Sequence, residues 1–130
     1  MNRILRALQS HLPLRVDQAS WAPPNLSIYG PEWSLNGMCA WRVINHGIVV
    51  GASGSQDSES SIALLAGKCL VRASIQSVAC PPDPVLFFDD GHILELFSDD
   101  VLEPWVMRLP AGEVFVANPG VREWLYDDRS

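Results

Sequence analysis

The chain has 130 residues, 48% of them hydrophobic, and a formal net charge of −6 at pH 7. This length favours one domain spanning residues 1–130, with enough apolar side chains to build a core without disulfides or metal. No apolar run approaches the roughly 20 residues of a membrane helix. Nine basic against fifteen acidic residues disfavour nucleic-acid binding, because phosphate neutralisation needs Lys and Arg.

The charge is distributed unevenly along the chain. Residues 1–80 hold six basic and four acidic side chains, whereas residues 81–130 hold three basic and eleven acidic ones. An acidic half can steer association toward a basic protein. It can also be a solvated surface that maintains solubility, so the charge alone leaves both interpretations open.

The N-terminal residues 1–12 predict a short amphipathic helix that ends before Pro13. Charged residues interrupt this segment, so it lacks the apolar core of a secretion signal. We expect the helix to cap the domain's own core instead of lying on a membrane surface. Residues 15–24 then predict a loop broken by two prolines, which contains Trp21 as a candidate exposed anchor, and residues 25–29 alternate as a short strand.

The central part of the chain predicts strands around one interior helix. The apolar residues between positions 33 and 44 share one parity, with a break at Asn36-Gly37 that fits a turn or a bulge. The helix is predicted between an N-cap at Ser55 or Asp57 and Gly67, which suits a left-handed C′ position. An alternating, half-buried strand follows directly.

Residues 85–97 predict a β-hairpin, because two apolar runs flank Asp90-Gly91, a pair favoured in two-residue type I′ turns. A rigid, exposed connector rich in proline, residues 81–84, precedes it. The predicted turn places Asp89 opposite His92 and fixes the register. One face of the hairpin then carries Val85, Phe87, Leu94 and Leu96, and the other carries Leu86, Phe88, Ile93, Glu95 and Phe97. Because both faces are apolar, we expect both to be covered.

The acidic segment, residues 98–104, follows the hairpin and predicts a solvent-exposed loop. Its acids Asp99, Asp100 and Glu103 precede Trp105, and an acidic loop beside an aromatic anchor predicts a contact surface for a basic protein. The alternative is that Trp105 begins the next strand and points into the core.

Together, the predicted strands, turns and helices indicate an α+β domain. It has a curved antiparallel sheet of about six to eight short strands, one interior helix and a short N-terminal helix.

The sequence contains no clear catalytic or metal-binding motif. The three histidines are far apart, and Cys39, Cys69 and Cys80 lack metal-ligand spacing, so we predict neither a metal nor a cofactor. An odd number of cysteines argues against a disulfide framework and favours a reduced cytosolic protein. The predicted Asp89–His92 pair has two interpretations, an acid–base unit or a structural cross-strand contact.

Several turns and core aromatic residues follow one another in a distinctive order: Trp33, Trp41-Arg42-Val43, Val50–Gly54, Leu64–Gly67, Leu86–Phe97, Trp105–Leu109 and Asn118–Gly120. This order, over residues 25–120, resembles a group of small uncharacterised bacterial proteins, some of which are encoded in toxin–immunity neighbourhoods. The resemblance implies a fold and an immunity role. It implies no functional residues, because its motifs are structural.

The leading hypothesis is a non-catalytic, cytoplasmic binding protein, an immunity-type inhibitor of a basic toxin or effector domain, which contacts its protein partner through Asp99, Asp100, Glu103 and Trp105. One alternative is a small-ligand-binding or enzymatic domain with a cleft over the sheet. Another is a subunit of a larger assembly, such as a homodimer, that uses the second apolar face of the hairpin. An apolar cleft with convergent polar groups would favour the ligand, and a convex acidic patch would favour the inhibitor.

Overall fold

The computed structural model of the protein describes residues 3–75, 83–98, 105–117 and 125–127. Within these ranges the elements are α1 (Arg3–His11), β1 (Leu14–Arg15), β2 (Gln18–Ala22), β3 (Asn25–Gly30), β4 (Trp33–Gly37), β5 (Ala40–Asn45), β6 (Ile48–Ala52), α2 (Ser58–Ala63), β7 (Cys69–Ile75), β8 (Pro84–Phe88), β9 (Ile93–Phe97), β10 (Trp105–Arg108), β11 (Val114–Val116) and β12 (Leu125–Asp127). No helix in the described ranges is long and apolar enough to cross a membrane.

The described strands form two six-stranded antiparallel sheets. Sheet A has the order β1-β7-β8-β9-β5-β6, and sheet B has the order β12-β11-β10-β4-β3-β2. The α+β class is therefore confirmed, but the strands outnumber the six to eight predicted and form two sheets instead of one. Part of the difference lies in residues 15–24, predicted as a loop, where β1 pairs with β7 and β2 pairs with β3.

The chain passes from sheet B to sheet A at the break predicted around Asn36-Gly37. The apolar residues at odd positions between 33 and 44 continue across that crossing. All of them are buried: Trp33, Leu35, Cys39, Trp41 and Val43. A single sequence pattern therefore covers two strands in different sheets. The inner faces of both sheets contribute to one continuous core.

The two helices close the core at different places. α1 packs against β7 and buries Ile4 and Leu8 completely, so the predicted cap on the core is confirmed. α2 contacts both β2 of sheet B and β6 of sheet A, and it buries Ile62. The predicted side-chain cap of α2 is absent, because Asp57 at the N-cap makes no side-chain hydrogen bond, whereas Gly67 after the helix has the expected positive φ.

The β8–β9 hairpin has a three-residue loop, and its predicted register was wrong by one residue. The Phe88 N–H donates to the His92 carbonyl at 2.9 Å, and the Gly91 N–H donates to the Phe88 carbonyl at 3.1 Å. Asp89, Asp90 and Gly91 therefore form the loop, with Gly91 at a φ of +93°, as in three-residue hairpins that end in a left-handed glycine.

The changed register regroups the side chains of the hairpin, because a shift of one residue moves a side chain to the other face. The buried inner face carries Leu86, Phe88, Leu94 and Leu96. The outer face is only half-buried and carries Val85, Phe87, Ile93, Glu95 and Phe97. On this outer face the guanidinium groups of Arg42 and Arg72 lie over the rings of Phe97 and Phe87, 5.2 and 4.0 Å from their centroids.

Candidate functional site

The acidic segment is attached to the fold through Asp83. This residue is 2% exposed and is the only charged residue buried in the described ranges. Its Oδ2 accepts the Ser98 N–H at 2.6 Å, and its Oδ1 accepts both the Ser98 hydroxyl and the Trp105 Nε1–H, the latter at 2.9 Å. These charge-assisted hydrogen bonds compensate for the removal of the carboxylate from water.

Asp83 therefore holds the two residues on either side of positions 99–104. We call this contact of Asp83 with Ser98 and Trp105 the Asp83 stem. The predicted partner-binding residues Asp99, Asp100 and Glu103 lie outside the described residues. The stem nevertheless fixes where the chain leaves and re-enters the core on either side of them.

Trp105 is fully buried and begins β10, as in the alternative prediction that it starts a strand and points into the core. Its indole is therefore not a surface anchor beside the acids. Sequence reasoning missed Asp83, because a carboxylate between prolines in residues 81–84 indicates an exposed connector. The donors that explain its burial lie 15 and 22 residues further along the chain.

A second polar cluster lies in the loop of the β8–β9 hairpin. The predicted Asp89–His92 pair was wrong, since His92 Nδ1 lies 2.7 Å from Asp90 Oδ2. Asp90 also accepts the backbone N–H of His92 at 3.1 Å, and Lys68 Nζ lies 3.6 Å from its Oδ2. Asp89 instead accepts the backbone N–H of Cys69 at 3.1 Å.

Two carboxylates in the described ranges have a lowered pKa, and both belong to turns. Burial raises the pKa of Asp90, but hydrogen bonds from the His92 backbone and ring and the charges of His92 and Lys68 lower it further than burial raises it. Burial likewise raises the pKa of Glu113, but four other interactions lower it below its usual range. These are the hydrogen bond with the His11 side chain, the hydrogen bond from the backbone N–H of Glu113 itself, the charge of His11, and the hydrogen bond from the Ala111 backbone N–H. His11 Nε2 lies 3.0 Å from Glu113 Oε2 and links α1 to the start of β11. These contacts therefore stabilise the fold locally, at two turns.

A cleft of about 320 Å³ opens beside the crossing between the sheets. It is lined by Trp21, Pro23, Pro24, Met38, Cys39, Ala40, Ser53 and Gly54. Trp21 was a candidate exposed anchor, but it is 8% exposed and packs edge to face on Trp41, with ring centroids 5.6 Å apart. This cleft is apolar and has no charged side chain in its lining.

No group of three or more His, Cys, Asp and Glu side chains in the described part of the chain is arranged to hold a metal ion. Comparisons of the chain with protein-family models, with curated proteins and with solved structures find no match. The resemblance to small bacterial proteins therefore stays a prediction, and the functional argument depends on the geometry of this chain.

Proposed function

We propose that the protein is a non-catalytic binding protein that contacts a basic protein partner through the acidic segment. An immunity-type inhibitor of a toxin or effector domain in the bacterial cytosol is the specific role that we propose. The observation that carries the proposal is the Asp83 stem, because binding residues are commonly carried on connections held by a rigid scaffold.

The charge of the acidic segment supports the same role. Residues 98–104 contain three carboxylates and no basic side chain, and they lie in the half of the chain with eleven acidic and three basic residues. Such a concentration of one sign accelerates association with an oppositely charged surface and suppresses contacts with acidic proteins.

The experiment compares two variants with the same change in net charge. In the first, Asp99, Asp100 and Glu103 are replaced by Lys. In the control, the exposed acids of the other half, Glu32, Asp57 and Glu59, are replaced by Lys. The candidate partner is the protein encoded next to this one in its genome, and association is followed by stopped-flow fluorescence.

We expect the first variant to associate at least about tenfold more slowly than the unmodified protein at low salt, the lower end of electrostatic steering. The difference should shrink as the ionic strength approaches about 0.1 M and above, because exposed charges are then screened beyond about 10 Å. The control variant should change the rate much less. Equal slowing of both variants would show that net charge alone matters. An unchanged rate in the first variant, or no complex with the neighbouring gene's product, would contradict the proposed role.

A further inference from the structure

The cleft beside Trp21 has the properties of a small-molecule site. Its volume of about 320 Å³ lies within the range of ligand pockets, about 300 to 1,000 Å³, which are mostly apolar with a few placed polar groups. Its lining includes Trp21, Met38, Pro23 and Pro24, and no charged side chain lines it. These walls suit a neutral occupant, because an ion would lose its hydration without gaining an opposite charge.

Two indole N–H groups lack acceptors in the described ranges, one on Trp21, which lines the cleft, and one on Trp41, which packs against Trp21. The Nε1 atoms of Trp21 and Trp41 are both buried, and neither has a hydrogen-bond partner in the described chain. In an edge-to-face pair only the ring that presents its edge can direct its N–H at the other ring. At least one of the two indole N–H groups is therefore unsatisfied, which is unfavourable for a buried donor.

Ser53 supplies a second donor at the rim of the cleft. Its Oγ accepts the backbone N–H of Trp41 at 3.3 Å, and its own hydroxyl hydrogen has no acceptor among the residues described. Ser53 is half-buried, so a molecule in the cleft can reach this hydroxyl directly. Trp21 lines the same cleft, and its indole N–H has no acceptor in the described chain, so it is a further candidate donor for a bound molecule.

We propose that the cleft binds a small, neutral, mainly apolar molecule with one carbonyl-type acceptor, which receives a hydrogen bond from Ser53 or Trp21. Two lining residues, Trp21 and Ser53, carry hydrogens with no acceptor among the described residues, and they favour a ligand with an acceptor over a plain hydrocarbon. None of the residues that line this cleft belongs to the acidic segment, and the inference goes beyond the proposed protein-binding function without depending on it.

The test uses two molecules of nearly equal shape, acetophenone and α-methylstyrene. Acetophenone has a C=O group, and α-methylstyrene has a C=CH₂ group in its place. Both are titrated at equal concentrations into the full chain, and binding is followed by the indole N–H signals in ¹H–¹⁵N NMR spectra. The Trp21 signal is assigned as the one missing from Trp21→Phe. We expect saturable binding of acetophenone, a downfield shift of the Trp21 signal, and an affinity about fivefold higher than that of α-methylstyrene, as for one net hydrogen bond.

A blocking variant tests the location without removing a core residue. A Cβ added to Gly54 would meet no atom within 4 Å, and Gly54 lines the cleft, so Gly54→Leu adds bulk there without forcing the backbone to move for its first carbon. Ala63→Leu adds the same side chain at an exposed position of α2 and is the control. We expect Gly54→Leu to weaken both probes at least about tenfold, as expected when a blocked pocket loses its apolar contacts, and Ala63→Leu to bind them normally.

Any of three results would overturn the proposal. Acetophenone could fail to bind the unmodified protein saturably, the two probes could bind with equal affinity, or Gly54→Leu could bind them as well as the unmodified protein does. None of these results bears on the acidic segment, so failure here is distinguishable from failure of the proposed partner binding.

Discussion

Replacing Asp83 by Ala removes the acceptor of three hydrogen bonds at the Asp83 stem. Ser98 is half-buried, so water can replace the carboxylate at its N–H and hydroxyl groups. The Trp105 N–H is fully buried and loses its partner, which costs about 1 to 3 kcal/mol. The small cavity left by the carboxylate adds to this. We expect a loss of about 2 to 4 kcal/mol in the free energy of unfolding, a large part of the roughly 5 to 15 kcal/mol typical of a domain.

Urea unfolding followed by tryptophan fluorescence measures this loss from the midpoint and the slope. Asp89→Ala is the control, because that carboxylate accepts one backbone N–H at an exposed position, and we expect it to cost about 1 kcal/mol or less. Combining Asp83→Ala with Trp105→Phe should recover about 1 kcal/mol or more relative to the sum of the single changes, since the unsatisfied N–H is then absent. Equal losses for Asp83→Ala and Asp89→Ala would refute the reasoning.

Three further predictions concern the turns and the contact of α2. Gly91→Val should lower stability by more than about 1 kcal/mol because φ is +93° there, whereas Gly54→Val should be nearly neutral; similar melting temperatures for the two variants would contradict this. Because the pKa of Asp90 is lowered in the folded state, its stabilisation is present above the unfolded value near 3.9 and is lost as the pH falls through the folded value. The unfolding free energy of Asp90→Asn should therefore fall less between pH 7 and about pH 3 than that of the unmodified protein, and an equal fall would count against the pairing. Gly51→Ala should cost about 1 to 3 kcal/mol, because the added Cβ would overlap the Ser61 side chain. Ser61→Gly should restore part of the loss, and no restoration would show that the strain lies elsewhere.

The parts of the fold that could be predicted from sequence are those governed by local pattern. The amphipathic spacing of α1 and the apolar parity between positions 33 and 44 both indicate which side chains face the core. The hairpin at residues 85–97 was also found in the right place. Its register was not, because Asp90-Gly91 fits both a two-residue and a three-residue loop. The observed choice also involves Asp89, which bonds to β7, and no pattern within the hairpin contains that contact.

The parts that could not be predicted depend on residues distant in sequence. β1 is two residues long and exists through its pairing with β7, so its own sequence carries little strand signal. Asp83 is buried because Ser98 and Trp105 supply donors, and its proline neighbours indicate exposure instead. The residues that line the cleft beside Trp21 likewise come from three separate segments of the chain, so no single sequence motif predicts it.

The Asp83 stem also has a consequence for how this scaffold can change over evolution or by engineering. Ser98 and Trp105 are held by a contact that does not involve the six residues between them. The entropy of closing such a connection grows slowly, by about 0.6 kcal/mol for each doubling of its length. Insertions and exchanges at positions 99–104 should therefore leave the core folded. Under the proposed binding function, one framework could then carry different recognition sequences at positions 99–104, and specificity could change within this short segment.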